Sequence, residues 1–198
     1  MLKSRLEAFS DGVFAIIITI MVLELRVPAS GQWQELFQTQ FLDTISSYFF
    51  SFLFIASFWV SHHTIIAPIQ IVDKTLLWVN VLMLFPISLL PFVTAWHSNF
   101  PTMAAPNFSY VFIYVLSVLG LYILGKTAVN RVKQSEQQQC RQTNHVRFWL
   151  VIFGVAACFL TLLIPEIASF SVLGVLLFWI LLPYIYRLVY RLVGKGHN

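Results

Sequence analysis

Charged residues are scarce in this chain. Asp, Glu, Lys and Arg make up 10% of its 198 residues, 59% are hydrophobic, and the mean hydropathy is +0.80. A soluble domain needs a polar surface, for which about a quarter of its residues are usually charged. The shortage of charge therefore excludes a soluble globular protein and predicts an integral membrane protein of the all-α class.

Cysteine and catalytic patterns are also sparse. Cys140 and Cys158 fall in a predicted loop and inside a predicted helix, which excludes a disulfide framework. The adjacent His62 and His63 diverge by about 100° on a helix and make poor co-ligands for a metal. No nucleophile has a nearby base, and no Gly-rich phosphate loop is present. We therefore expect neither an enzyme nor a bound metal or cofactor.

Long apolar stretches fill most of the chain. Five of them run for at least about 18 residues without a charge, which is the length that a membrane helix needs. Together with the amino-terminal stretch they predict six transmembrane helices in one domain, 1–198. The expected bounds are about 4–26, 42–64, 74–97, 106–132, 144–165 and 167–191.

Basic residues are distributed unevenly between the two sides of this arrangement. If both termini are cytoplasmic, Arg26 alone among the 12 Lys and Arg lies outside. Such asymmetry follows the positive-inside rule, so it supports both the helix count and the orientation in the cell membrane. The net charge of +4 thus needs no nucleic-acid partner. The first helix has no cleavable signal pattern, and we expect it to be retained.

One face of the first helix is mostly apolar. A Ser-x-x-Glu capping box begins the helix at Ser4. At about 100° per residue, the members of the face form a continuous stripe. They are Arg5, Phe9, Gly12, Ile16, Thr19, Ile20 and Leu23. Ile and Leu at this spacing more often mark packing or lipid contact than a pore, and periodicity alone leaves these roles open.

Ser10 and Asp11 point away from that stripe. Because Asp11 has no basic partner on its own face of the helix, it needs one from another helix. The candidates at the same depth are His62 or His63, Trp78 and Asn80. A buried network of these side chains would satisfy each polar group and hold three helices together. The alternative is that Asp11 is solvated in the headgroup layer.

The stretch "RLEAFSD" resembles a family signature. It matches the Arg-x-x-x-Phe-Ser-Asp pattern of the transmembrane protein 175 family at Arg5, Phe9, Ser10 and Asp11. The likeness continues through "FWVSHH", residues 58–63, and "LWVNVLMLFPISLLPFVTAW", residues 77–96. The chain looks like the prokaryotic, single-repeat form of this family, and beyond the third helix the likeness is mainly one of hydropathy.

This resemblance implies a potassium-favouring cation channel, built as a homotetramer whose first helices line a central pore. It places the apolar constriction on Ile16, with Ile20 and Leu23 toward the outside, and a pore-facing hydroxyl on Thr19. The signature residues would hold helices together instead of coordinating ions. Because the animal members join two six-helix repeats in one chain, this chain would need four copies.

The expected mechanism uses no carbonyl filter, since the chain lacks a Thr-Val-Gly-Tyr-Gly loop. Rings of Ile16, Ile20 and Leu23 would gate by dewetting and discriminate modestly through the cost of dehydrating the ion.

One alternative is a proton channel that uses Asp11 and the histidine pair, and the family's animal members make proton permeation plausible. A second alternative is a membrane transporter for a small solute.

Overall fold

The chain folds into packed helices. The fold comes from a computed structural model, in which we describe residues 3–25, 27–28, 30–168, 170, 173–174 and 177. Every regular element within these residues is a helix, as the all-α prediction requires. The predicted sixth helix, about 167–191, falls mostly outside the described residues.

Six α-helices and three short 3₁₀ turns make up the described fold. The first part contains α1, Lys3–Met21, the turns Val22–Glu24 and Trp33–Phe37, and α2, Thr39–Ile66. The middle contains α3, Lys74–Ser88, and α4, Leu90–Asn99. The last part contains α5, Ala104–Ala128, the turn Val129–Arg131, and α6, Gln134–Leu163.

Four of the described segments are long and apolar enough to cross a bilayer, so the chain is a membrane protein. They are Thr39–Ile66, Lys74–Asn99, Ala104–Arg131 and Gln134–Leu163. The second of these combines α3 and α4. The α1 helix has 19 residues and is not among the four, because its amino-terminal half carries several charges.

The predicted third helix is divided in two at Leu89. Pro86 lies inside α3, and the helix ends three residues later, at Leu89. Pro91 lies in the first turn of α4, where its missing N–H costs no helical hydrogen bond. Two prolines near one break explain why one predicted span becomes two helices.

The α6 helix begins at Gln134, whereas the prediction placed its start near residue 144. The extra turns are polar, and hydropathy alone gives no signal for them. Within the described residues, α5 and α6 form the most extensive helix pair. Their contact is close: a Cβ added to Gly154 would lie 2.6 Å from Val115 Cγ2, and one added to Gly125 would clash with the Asn144 side chain.

Polar contacts join helices at both ends of the fold. Toward one end, Thr94 of α4 donates to Ser51 of α2 at 3.0 Å, and Ser51 lies 3.1 Å from the Tyr110 hydroxyl of α5. At the other end, Asp73 caps α3 by accepting the Leu76 N–H and also pairs with Arg131. The Arg131 guanidinium holds the pKa of the Asp73 carboxyl below its usual value.

Candidate functional site

The α1 helix has two apolar faces with different surroundings. One face is buried against the other helices, and Ile17 on it is 4% exposed. Its other buried members are Leu6, Ser10, Phe14 and Met21. On the opposite face Ile16 is 59% exposed, and every other member of the predicted stripe is exposed too, including Leu23 in the turn that follows α1. The stripe is therefore uncovered in the single chain.

The uncovered face borders an open apolar groove of about 440 Å³ between α1 and the α3–α4 segment. Ile16 and Ile20 form one wall of the groove. Pro91 and Phe92 lie on the opposite wall, and Phe92 is itself exposed. The uncovered surface thus extends beyond α1 onto a neighbouring helix.

Three of the predicted network residues form a buried hydrogen-bonded chain. The Asn80 amide nitrogen donates to Ser10 Oγ at 2.9 Å, and Asn80 Oδ1 lies 2.7 Å from His62 Nε2. Ser10 also donates to the Leu6 carbonyl at 3.0 Å. The ring of Phe14 packs against His62 with centroids 5.7 Å apart. These contacts join α1, α2 and α3, and they identify His62 as the participating histidine.

Asp11 has a different partner from the one predicted. Its Oδ1 accepts a hydrogen bond of 2.8 Å from the Trp59 indole N–H on α2. His63 stacks on Trp59, with centroids 6.2 Å apart, and is itself exposed. This contact forms a second group beside the Ser10 chain, where the prediction expected one network.

The assignment of Trp78 to the network is wrong. Trp78 is 68% exposed, whereas Asn80 on the same helix is 2% exposed. The two residues are separated by about 200° around a helix, so they cannot face the same neighbour. Trp59 and His63 are four residues apart on one face of α2, and this spacing could have indicated Trp59.

Arg5 and Phe9, the first two signature residues, are both exposed at the amino-terminal end of the stripe. The structure therefore does not bring them into the Ser10–Asn80–His62 chain. Thr19 is exposed too, and its hydroxyl donates to the Ala15 and Ile16 carbonyls at 3.0 and 2.9 Å. Its proton is thus used within α1.

Sequence reasoning missed a buried arginine. Arg147 of α6 is 4% exposed and donates to Ser61 Oγ on α2 at 3.0 and 3.3 Å. The sequence analysis had counted it only among the basic residues expected on the cytoplasmic side. An isolated Ser in an apolar helix gives no warning of such a contact, so no sequence signal identified the pair.

Comparisons with known proteins point to one family. The family described as "Endosomal/lysosomal potassium channel TMEM175" matches residues 5–91. A potassium channel of Chryseobacterium sp. (strain P1-3) is 34% identical over 184 residues, which cover 91% of this chain and 94% of that protein. A potassium channel of Streptomyces collinus is 40% identical over 97 residues, covering 47% of this chain and 46% of that one.

A solved structure has a similar fold. It is the lysosomal potassium-selective channel TMEM175 homolog from Chamaesiphon minutus, and its TM-score against this chain is 0.76 at 23% sequence identity. The superposition covers 90% of this chain and 96% of that one. The likeness in fold thus extends over nearly the whole chain.

Proposed function

The chain belongs to the TMEM175 family, and from this premise we propose that it is a cation channel that favours potassium, assembled from four copies with α1 around a central pore. The observation that carries the proposal is the 34% identity to a bacterial potassium channel over nearly the full length of both chains. The family is one of channels, so we propose no enzymatic role. Each copy has six transmembrane helices, with both termini in the cytoplasm.

The uncovered face of α1 is the surface that lines the pore. A symmetric ring of four copies turns each exposed side chain into a ring of four. Stacked rings of Ile16, Ile20 and Leu23 narrow the pore with apolar atoms. Such rings exclude water and ions when narrow and admit hydrated or partly hydrated ions when slightly wider. The constriction is therefore both gate and dehydration barrier.

Thr19 supplies oxygen atoms between the apolar rings. Because its hydroxyl proton is donated to carbonyls of α1, its lone pairs remain available to a cation. Four such oxygens replace part of the lost hydration shell. Potassium loses its water at lower cost than sodium, so the expected preference for potassium is modest.

The polar contacts of α1 set the direction in which its pore face points. Ser10 binds Asn80, and Asp11 binds Trp59, on the sides of α1 away from Ile16. Rotating α1 would break both hydrogen bonds. Asp11 is exposed, so the larger cost comes from Ser10 and Asn80, whose polar atoms would be unsatisfied inside the protein. The role of these signature residues is thus to hold α1 in position, without contact to the ion.

The proposal is tested by measuring flux from liposomes that contain the purified protein, with potassium, sodium and proton gradients imposed separately. We expect potassium flux above sodium flux, and cross-linking in the same liposomes should yield species up to four copies. Current that follows the proton gradient alone would instead favour the proton channel. Uptake of an organic solute that requires a gradient, without potassium flux, would favour a transporter and overturn the proposal.

A further inference from the structure

A second cavity lies between α5 and α6, away from α1. It has a volume of about 580 Å³ and is located where α5 ends and the polar turns of α6 begin. In the proposed orientation this is the cytoplasmic surface of the membrane. The lining residues are Tyr122, Lys126, Val129, Asn130, Arg141, Asn144, His145, Phe148 and Trp149.

The lining divides into a cationic part and an aromatic part. Lys126, Arg141 and His145 are exposed, and no Asp or Glu lines the cavity. Phe148 and Trp149 lie further along α6, toward its apolar segment, and Trp149 is 56% exposed. Aromatic rings of this kind are typical of the headgroup level of a bilayer. The cavity therefore offers positive charge at the water side and apolar surface at the acyl side.

A buried amide and a buried guanidinium lie behind the cavity. Asn144 is 7% exposed and accepts from Arg147 through Oδ1 at 3.5 Å, while its amide nitrogen has no hydrogen-bond partner within the described residues. Arg147 itself makes no ion pair with any described carboxylate and bonds to the neutral Ser61. The amide nitrogen is thus an unused donor at the wall, in the field of an uncompensated positive charge.

We propose that this cavity binds the phosphate headgroup of an anionic phospholipid from the cytoplasmic leaflet. Lys126 and Arg141 pair with the phosphate, the Asn144 amide donates to one of its oxygens, and Trp149 contacts the upper part of an acyl chain. Basic pockets between membrane helices on the cytoplasmic side suit such headgroups. The cavity volume falls in the range of ligand sites, about 300–1,000 Å³. This site goes beyond ion conduction and does not depend on it.

Lipid binding is measured by the quenching of tryptophan fluorescence in phosphatidylcholine vesicles that contain brominated phosphatidylglycerol or, in parallel, brominated phosphatidylcholine. The difference between the wild type and Trp149→Phe isolates the signal of this site. We expect the wild type to prefer brominated phosphatidylglycerol. In Lys126→Gln/Arg141→Gln the preference should fall by about tenfold or more, since each charge-assisted hydrogen bond to the phosphate contributes about tenfold.

The matched control is Lys74→Gln/Lys133→Gln, which removes the same charge from exposed positions outside the cavity lining. It should keep most of the preference. An equal loss in both double variants would indicate general surface attraction and overturn the site, as would a wild type that quenches equally with both lipids.

Inorganic phosphate is added in a further arm, and competition at millimolar concentration would assign the site to a free anion instead. Because no flux is measured, failure here is distinguishable from failure of the proposed channel.

Discussion

The two faces of α1 have similar composition and opposite surroundings. The buried face carries Leu6, Phe14 and Ile17 with one hydroxyl, that of Ser10. The uncovered face carries Phe9, Ile16 and Ile20 with one hydroxyl, that of Thr19, and the exposed Leu23 follows in the turn Val22–Glu24. The Ser10 oxygen accepts a bond from another helix, whereas the Thr19 hydroxyl bonds only to its own helix in the described residues. The difference lies in the neighbours, not in the residue types.

Hydrophobicity does not determine which face of a membrane helix packs against protein, because lipid tails are as apolar as Leu or Ile. Polar groups that need a hydrogen-bond partner determine it instead. Ser10 and Asp11 have theirs on α3 and α2, and these bonds direct the stripe away from the packed helices. Three predictions break or sharpen this comparison, beginning with the largest expected effect.

Substituting Asn at two adjacent positions, one on each face of α1, tests the different roles of the two faces directly. Ile16→Asn should raise potassium flux about tenfold and weaken discrimination against sodium, because lowering a barrier by about 1.4 kcal/mol changes a rate tenfold. Ile17→Asn should instead cost about 3 kcal/mol of stability, since it buries an amide without a partner and removes packed atoms. Liposome flux and thermal unfolding in detergent are measured on the same preparations.

The same pair of variants can contradict the assignment of the faces. If Ile16→Asn destabilises the protein as much as Ile17→Asn and leaves flux per assembled channel unchanged, the uncovered face is a packing surface. A conservative variant, Ile16→Val, serves as the control and should leave both stability and flux close to the wild-type values.

Asn80→Leu removes the residue that links Ser10 to His62. His62 Nε2 then loses the partner that Asn80 provides, while Ser10 keeps its bond to the Leu6 carbonyl, and we expect a loss of about 1–3 kcal/mol in stability together with a smaller assembled fraction. Asn99→Leu is the matched control, because among the described residues the exposed Asn99 donates only to the Ala95 carbonyl of its own helix. Unfolding temperature and size-exclusion profile check both variants. An Asn80→Leu protein as stable as Asn99→Leu would show that the link is dispensable.

The two tryptophans provide the smallest and most specific contrast. Trp59→Phe keeps an aromatic ring but deletes the donor to Asp11, and should cost about 0.5–1.5 kcal/mol. Trp78→Phe alters an exposed ring and should change the unfolding temperature little. Combining each variant with Asp11→Ala, which removes the acceptor oxygen, measures the coupling, which we expect for Trp59 and not for Trp78. Coupling between Asp11 and Trp78 would instead support Trp78 as the partner of Asp11, as inferred from the sequence.

Much of the site could be predicted because depth in a membrane follows from position along a helix. Ser10, His62 and Asn80 were grouped on that basis, and they are in contact. The depth of a residue does not specify how its helix is rotated about its axis, however. Trp78 was therefore selected although it faces away from Asn80. The start of α6 was missed for a related reason: the ten residues after Gln134 are polar, and a helix outside the apolar layer has no hydropathy signal.

Arg147 shows a further limit. A basic residue near the end of an apolar stretch is expected at the membrane surface, and its charge fits the positive-inside pattern whether or not it is buried. Only the packing of α6 against α2 brings its guanidinium to Ser61. The positive-inside count therefore includes this charge without revealing its surroundings.

The sequence by itself determined that this is a helical membrane protein, since too few charged residues exist to cover a soluble surface. It also determined which residues share a face of α1, because the helical repeat alone sets that relation. The tertiary structure decided which face is covered and which partner Asp11 takes. Those outcomes depend on hydrogen bonds between helices distant in sequence, whose relative rotation no local pattern contains.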